Sequence, residues 1–462
     1  MSITANNETI CALATPPGTS AIALVRISGP DAISIADKVI KYKDEKKLST
    51  QHSHTVHYGS AMDKENLLDE VMAAVYKAPH SYTGEDTVEI SCHGSFYIQN
   101  RLLQVLIKAG ARLAKPGEFT MRAFLNGKMD LSRAEAVADL IASGTKSMHE
   151  AAIQQMRGGF AKEIQNLREK LVDFASLIEL ELDFSEEDVE FASRHELQKL
   201  LIEIKNALQK LAGSFAVGNV IKNGVGVVIA GAPNAGKSTL LNALLNEERA
   251  IVSEEPGTTR DFIEDTITIN GILFRFIDTA GIRKPSDKIE SIGIARTYEK
   301  MEQASVILYL FDALKVNADE VNAVLKGIKT KEKDKVLPVI NKTDLLNIKE
   351  AGIKFATVKN AVFISARKKE GINILTEKLF ILSGLQNWDS NSVTVTNTRH
   401  YEALSKALEC IQNTLRGIKN RISADLLATD IRMALHHLGE ITGEVTNDEI
   451  LENIFGKFCI GK

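Results

Sequence analysis

The octapeptide Gly231–Ser238, GAPNAGKS, constrains the fold of this chain more than any other segment. It follows the short apolar run Val225–Ala230 and precedes a stretch of helical periodicity, so it predicts a strand, a phosphate-binding loop and a helix. Its glycines let backbone amides face the phosphates. We expect Lys237 to contact the β- and γ-phosphates and Ser238 to offer a hydroxyl to Mg²⁺. Because such a motif also occurs by chance, its neighbours decide the interpretation.

Three further segments follow in the order of a guanine-nucleotide site: Asp278–Gly281 (DTAG), Asn341–Asp344 (NKTD) and Ser365–Ala366. The Asp344 carboxylate can accept two N–H bonds from the guanine edge. Adenine offers no such pair, so this acceptor should discriminate against it by about 10⁴-fold. The Ala366 amide is expected to face guanine O6. The sequence therefore predicts a domain that binds and hydrolyses GTP. The predicted GTP contacts are Asn234, Ala235, Gly236, Lys237, Ser238, Thr239, Thr258, Thr259, Asp278, Thr279, Ala280, Gly281, Asn341, Lys342, Asp344, Ser365 and Ala366.

The segment after the phosphate-loop helix is predicted to form a switch. Thr258 and Thr259 lie where such a loop places a threonine hydroxyl on Mg²⁺, and Thr259 joins Ser238 as a predicted Mg²⁺ ligand. Ras-like enzymes carry a Gln just after DTAG that orients the attacking water. This chain has Ile282 there, which cannot hydrogen-bond. Hydrolysis is therefore very slow, or it depends on an acid such as Glu290 or Asp287, or on a partner's arginine.

Composition bounds the class of protein. A length of 462 residues suits two to four domains, and a net charge of −4 gives no overall drive towards nucleic acid or anionic membrane. The four cysteines are scattered without CxxC spacing, which favours a reducing compartment. The first residues lack the pattern of a signal peptide, and no apolar run is long enough to span a bilayer. The expected location is the cytoplasm, with no membrane association.

Periodicity divides the chain into four parts. Residues 1–120 alternate strand-like and helical runs and predict an α+β domain with a helix at Phe96–Ala109. Residues 121–220 have helical periodicity, and residues 385–462 return to it. Between them, residues 221–384 alternate buried strands with helices. The predicted fold is multidomain: an α+β domain, an α-helical domain, and a Ras-like α/β P-loop domain inserted into the helical one.

Some local signals support this division. Asn270-Gly271 predicts a tight hairpin, and Thr446 with Glu449 fits a capping box. His52, His54 and His57 could suggest a metal site, and the first two would share one face of a strand. No acidic or cysteine partner stands near them in sequence, so a metal site is not predicted there.

Several motifs together resemble the MnmE/TrmE family of tRNA modification GTPases. They are GAPNAGKS, TPPG at Thr15–Gly18, GEFTMRAFLNGKMDL at Gly117–Leu131, DTAGIR at Asp278–Arg283, GTTRD at Gly257–Asp261 and the terminal CIGK. The resemblance covers essentially the whole chain in the same domain order. The terminal Cys-x-Gly-Lys is specific to this family, whereas other GTPases share only the nucleotide segments.

This resemblance implies a fold, a function and partners. The N-terminal domain would bind a tetrahydrofolate derivative, in the 5-formyl or 5,10-methylene form, and build a homodimer. With the FAD-dependent partner MnmG (GidA), in a heterotetramer, the chain would add an aminomethyl-type (carboxymethylaminomethyl) group at C5 of the tRNA wobble uridine, U34. The GTPase would be activated by K⁺ as two G domains approach each other. GTP, Mg²⁺, K⁺ and folate are the implied cofactors.

The resemblance also assigns residues. Asn234 would bind K⁺, with oxygens from Ser253, Glu255 and Thr258, and Glu290 would orient the catalytic water. The implied folate contacts are Arg26, Glu89, Lys128 and Lys462.

Other readings stay open on the residues alone. A regulatory GTPase switch in ribosome assembly would share the nucleotide segments, although such proteins usually carry strongly basic modules. A P-loop ATPase is disfavoured by Asp344. Cys459 is either an ordinary thiol near the chain end or part of the folate pocket.

Overall fold

The computed structural model describes residues 8–42, 46–183, 194–247, 265–277, 304–328, 335–346, 348–386, 388–420 and 422–462. The chain divides into two compact units. Unit 1 comprises Met1–Ala138, Met156–Ser193 and Gly417–Lys462, and unit 2 comprises Asp139–Gln155 and Arg194–Arg416. The four predicted domain ranges stay a prediction.

Unit 1 is built on a sheet whose described strands are β1 Ile10–Leu13, β2 Ser20–Ser28, β3 Ile40–Tyr42, β4 Thr55–Asp63, β5 Asn66–Tyr76, β6 Thr87–Gly94 and β7 Arg112–Leu113. They run in the order β3-β4-β5-β6-β2-β1-β7. Most neighbours are antiparallel, and β7 runs parallel to β1.

Two helices cover one face of this sheet, α1 (Ala32–Val39) and α2 (Phe96–Ala109). The bounds of α2 confirm the sequence prediction. The Ser95 hydroxyl caps its N-terminus by accepting the Ile98 amide, and Gly110 ends it with a φ of 123°. Strand β5 alternates buried and accessible residues because only one of its faces packs towards α1 and α2.

The remaining helices of unit 1 come from two separate stretches of the chain. They are α3 Glu118–Leu125, most of α4 Leu131–Ile141, α6 Gly159–Asp183, α13 Ala424–Thr442 and α14 Asp448–Phe455. The predicted capping box at Thr446 is wrong. Asn447 is the N-cap of α14, and its side chain accepts the Ile450 amide. The two residues are adjacent and both suit a cap, so pattern alone chose the wrong one.

Unit 2 holds a sheet whose described strands are β8 Val225–Gly231, β9 Asp265–Ile269, β10 Ile272–Phe276, β11 Val306–Asp312, β12 Val336–Asn341 and β13 Val362–Phe363. The sheet is largely parallel, and its order is β13-β12-β11-β8-β10-β9. The described helices of this unit are α5 Lys146–Met156, α7 Arg194–Asn223, α8 Lys237–Glu247, α9 Ala318–Gly327, α10 Ile348–Lys354, α11 Ile372–Leu382 and most of α12 Thr398–Lys419. This is the predicted α/β P-loop arrangement.

The predicted hairpin between β9 and β10 is confirmed. Asn270 and Gly271 both adopt left-handed backbone, with φ values of 50° and 80°, as a two-residue hairpin turn requires. The Gly271 carbonyl accepts a 2.8 Å hydrogen bond from the Ser147 hydroxyl. Residues 139–155, predicted as helical domain, thus pack in the same unit as the α/β sheet.

Candidate functional site

The phosphate loop joins β8 to α8 through three residues with positive φ. Gly231, Asn234 and Gly236 have φ values of 143°, 62° and 102°. A Cβ on Gly231 would lie 2.4 Å from the Leu310 carbonyl oxygen. Glycine is therefore needed there for both backbone conformation and close packing. The strand–loop–helix unit predicted from GAPNAGKS is confirmed.

Lys237 folds back over the loop that carries it. Its Nζ donates to the carbonyl oxygens of Gly231 at 2.7 Å and Ala232 at 3.0 Å. Burial lowers the pKa of Lys237 because desolvation penalises the ammonium form. Among the described residues no carboxylate contacts it, so the loop offers a half-buried cation without a counter-anion. A phosphate group would fit that position electrostatically.

Asn341 connects the phosphate loop to the segment predicted to read the base. Its Nδ2 donates to the Ala235 carbonyl at 2.8 Å, and its Oδ1 accepts the Ala366 amide at 3.0 Å. A Cβ on Gly236 would lie 2.2 Å from the same Nδ2. Three of the four sequence segments therefore meet at one buried asparagine.

The rest of the base-reading loop is held by its backbone. The Thr343 amide donates to the Ile364 carbonyl at 3.2 Å, and the Ser365 hydroxyl accepts the Lys368 amide at 3.2 Å. Asp344 lies in a 3₁₀ turn and is half-buried. Within the described part of the chain, no hydrogen bond or ion pair engages its carboxylate. That acceptor is available to a ligand, and its role in guanine binding stays a prediction.

Asp312 is a residue of this edge that sequence reasoning missed. It ends β11 and pairs in register with Asn341 on β12. Its carboxylate accepts Lys342 Nζ at 2.6 Å and the Leu314 amide at 3.1 Å. Burial alone would raise the pKa of Asp312, but the Lys342 ammonium and the Leu314 amide hold it below its usual value. A polar residue closing a buried strand was the available signal.

The N-terminal residues assigned to folate form a second cluster, in unit 1. Arg26 on β2 and Glu89 on β6 are cross-strand partners, with Nε to Oε1 at 2.9 Å. The Arg26 guanidinium lies 5.4 Å from the centre of the Tyr82 ring and 5.5 Å from that of Phe119. Its Nη1 donates to the Gly461 carbonyl at 3.4 Å. The chain end is therefore brought against Arg26.

The other two assigned residues lie around this cluster. Lys128 Nζ donates to the Pro79 carbonyl at 2.9 Å, on the loop that also carries Tyr82. The Lys462 amide donates to the Cys459 carbonyl at 3.4 Å. The Cys459 thiol is exposed, whereas Cys11, Cys92 and Cys410 are buried.

Several predicted site residues fall outside the described ranges, and their roles stay predictions. They are Ser253, Glu255, Thr258, Thr259, Asp278, Thr279, Ala280, Gly281 and Glu290.

The predicted strand placement of His52 and His54 is wrong. Both residues precede β4, which begins at Thr55, so they do not share a strand face. In the part of the chain that the structure describes, no group of three or more His, Cys, Asp or Glu could hold a metal ion. None of the helices searched there is long and apolar enough to cross a membrane.

Comparison with known proteins identifies relatives over the full chain. The family model described as "MnmE helical domain" matches residues 131–459, and that described as "GTP-binding protein TrmE N-terminus" matches residues 9–128. The tRNA modification GTPase MnmE of Christiangramia forsetii is 55% identical over 471 aligned positions, with 99% of each chain covered. The tRNA modification GTPase MnmE of Flavobacterium johnsoniae is 54% identical over 464 aligned positions, which cover 99% of this chain and 100% of the relative.

Among solved structures, a variant of Aquifex aeolicus Era is 29% identical with a TM-score of 0.26, covering 40% of this chain and 66% of that one.

Proposed function

The chain belongs to the MnmE family of tRNA modification GTPases, and from that premise we propose the finer chemistry of its function. It is a K⁺-activated GTPase that acts with an FAD-dependent partner of the MnmG type. Together they add an aminomethyl-type group, such as carboxymethylaminomethyl, at C5 of the tRNA wobble uridine U34. The one-carbon unit comes from a tetrahydrofolate derivative.

The observation that carries the nucleotide part is the position of Asn341 between Ala235 and Ala366. In the proposal, the phosphate loop and Lys237 bind the phosphates, and the available Asp344 carboxylate reads guanine. The Ser238 hydroxyl and Thr259 hold Mg²⁺, which neutralises developing phosphate charge when bound. Asp278 holds the same ion through water.

K⁺ would supply the positive charge that other GTPases take from an arginine, an effect of roughly 10³–10⁵ in rate. Asn234 supports this role because it lies in the phosphate loop, with a φ of 62°, and is exposed there. Glu290 then orients the attacking water.

The test of this role for K⁺ is GTP turnover in KCl and in NaCl for the wild type, Asn234→Ala and the exposed control Asn373→Ala. Only Asn234→Ala should lose the K⁺ stimulation, and equal wild-type rates in both salts would exclude K⁺ activation.

Folate would bind beside the Arg26–Glu89 pair. A carboxylate next to an arginine can pair with a pterin edge, and Lys128 and Lys462 suit the glutamate carboxylates. The contact between Arg26 and the Gly461 carbonyl supports a role for the chain end in the same site. Calorimetry with 5-formyltetrahydrofolate and the full chain tests this. Arg26→Gln should weaken binding, whereas Arg101→Gln, which breaks an ion pair with Asp63 elsewhere in unit 1, should not. If the wild-type chain shows no measurable binding of 5-formyltetrahydrofolate, the folate proposal is contradicted.

A homodimer is the proposed assembly, and the sheet of unit 1 supports it. The face opposite α1 and α2 exposes large apolar side chains at Ile22, Val56, Tyr58 and Met72. A second copy of the chain would cover such a patch. Sedimentation tests this surface by comparing the oligomeric state of Tyr58→Glu with that of the control Leu345→Glu, which changes an exposed leucine of unit 2. A wild-type monomer would exclude the dimer.

The modification itself is tested in cells. In a deletion strain, mass spectrometry of tRNA should show unmodified wobble uridine, restored by the wild-type gene and not by Lys237→Met. Normal wobble uridine in the deletion strain would contradict the tRNA chemistry. Co-sedimentation with ribosomal subunits in that case would point to a switch in ribosome assembly instead.

A further inference from the structure

The carboxyl edge of the unit 2 sheet brings Asp312 between the phosphate loop and the base-reading loop. Gly231, where the phosphate loop begins, pairs with Leu310 on β11, and Asp312 lies two residues further along the same strand. Asp312 itself pairs with Asn341 on the opposite side. In open α/β sheets this edge is where ligands bind.

Asp312 is nearly buried, with 7% of its side chain exposed. An unpaired carboxylate at this place would be costly and would repel phosphate. The carboxylate is instead neutralised by Lys342 Nζ at 2.6 Å and bonded by the Leu314 amide at 3.1 Å. The pair therefore fixes the ammonium end of Lys342 against β11.

Lys342 has an unusual backbone. Its φ is 68°, a left-handed conformation that costs a residue with a side chain about 1 kcal/mol or more. The 3₁₀ turn Thr343–Leu345 follows at once, closed by the Leu345 amide donating to the Lys342 carbonyl at 3.1 Å. Asp344 lies in that turn. The ion pair with Asp312 fixes the Lys342 side chain, and the 3₁₀ turn fixes the backbone that follows it. Together they select the left-handed conformation of Lys342.

We propose that Asp312 is a positioning residue for base selectivity: by anchoring Lys342, it holds the left-handed turn that places the Asp344 carboxylate. Asp312 does not touch the nucleotide in this proposal, and it acts through two neighbours. The inference rests on the proposed contact between Asp344 and guanine.

The measurement is the ratio of the affinities for GDP and IDP. IDP lacks the amino group of guanine, which only a correctly placed carboxylate can bind. Asp312→Asn keeps the shape and removes the charge that holds Lys342. We expect it to lower GDP affinity by about tenfold, with a much smaller loss for IDP, because one charge-assisted hydrogen bond to the base is weakened. In this proposal the Lys342 ammonium is held by Asp312 and does not contact the nucleotide, so Lys342→Met should change the same ratio in the same direction. The double variant should be no worse than either single one.

Controls separate the possible failures. Asp319→Asn, an exposed acid on α9, should leave both affinities unchanged. Asp344→Asn should abolish the GDP preference. If it does not, the base contact itself is wrong. If Asp344→Asn behaves as expected while Asp312→Asn and Lys342→Met keep the wild-type ratio, or lose GDP and IDP affinity equally, the positioning role is overturned. Should Asp312→Asn fail to fold, Lys342→Met, whose side chain is 32% exposed, decides the question by the same ratio.

Discussion

The side-chain amide of Asn341 donates to the backbone carbonyl of Ala235 across 2.8 Å, and this bond ties the base-reading loop to the phosphate loop. The two residues are far apart in sequence and belong to different motifs. A nucleotide bound by one loop is therefore next to the other, which is the geometric requirement for recognising a base and its phosphates together.

Removing this tie should cost both stability and nucleotide affinity. Asn341→Ala leaves the Ala235 carbonyl and the Ala366 amide without their buried partner, so we expect a loss of about 3 kcal/mol in the free energy of unfolding of unit 2. Urea unfolding and GDP calorimetry measure the two effects. Asn322→Ala, which loses only an exposed 3.4 Å bond to Thr357, should change stability by less than about 0.5 kcal/mol. Equal effects of the two variants would contradict the structural tie.

Gly236→Ala tests how closely the two loops approach. The new methyl would lie 2.2 Å from Asn341 Nδ2, and a φ of 102° is strained for any residue with a side chain. We expect roughly 2 kcal/mol of strain, with GDP affinity reduced and the thermal stability of unit 1 unchanged. Gly327→Ala is the matched control, because nothing lies within 4 Å of its added methyl. Normal GDP affinity in Gly236→Ala would mean that the loops separate in solution.

Lys237 should stabilise the nucleotide complex and not the free protein. Burial lowers its pKa in the folded state, so the unfolded chain binds more protons and stability rises as pH increases through the lowered value. Below that pH the buried ammonium is a cost, and Lys237→Met should therefore not destabilise the nucleotide-free chain at neutral pH. It should nevertheless abolish GTP hydrolysis. Thermal melts without nucleotide and turnover assays check both, and a large destabilisation of the free chain would contradict this account.

We expect unit 1 to lose stability in acid because of Glu118. Burial alone would raise its pKa, but hydrogen bonds from Arg112 and the Lys115 amide hold it at about 2, against 4.5 ordinarily. A carboxylate whose pKa is lowered on folding stabilises the protein at pH values above its ordinary pKa. This stability is lost as the pH falls towards 2. The contribution is about 3 kcal/mol. Unfolding of Glu118→Gln between pH 6 and 2 should show a flatter pH dependence than the wild type.

The comparison variant is Glu65→Gln, an exposed acid between β4 and β5. It should keep the wild-type slope. If Glu118→Gln also keeps it, the Arg112–Glu118 pair does not control acid stability.

Local patterns predicted much of the nucleotide domain, since a strand, a glycine loop and a helix are specified by adjacent residues. The left-handed turn at Asn270-Gly271 and the bounds of α2 were predictable for the same reason. What could not be predicted depends on register between distant strands. The Asp312–Lys342 pair and the Arg26–Glu89 pair arise because different strands lie side by side, and no local periodicity encodes that. The cap at Asn447 was missed because the adjacent Thr446 suits the same role.

The most direct test of the account is a crystal structure of the chain with GDP and Mg²⁺. We expect Lys237 Nζ to contact the β-phosphate while the Asp344 carboxylate accepts the N1 and N2 hydrogens of the same guanine. A structure in which Lys237 and Asp344 face separate cavities, or in which the base lies away from Asp344, would contradict it.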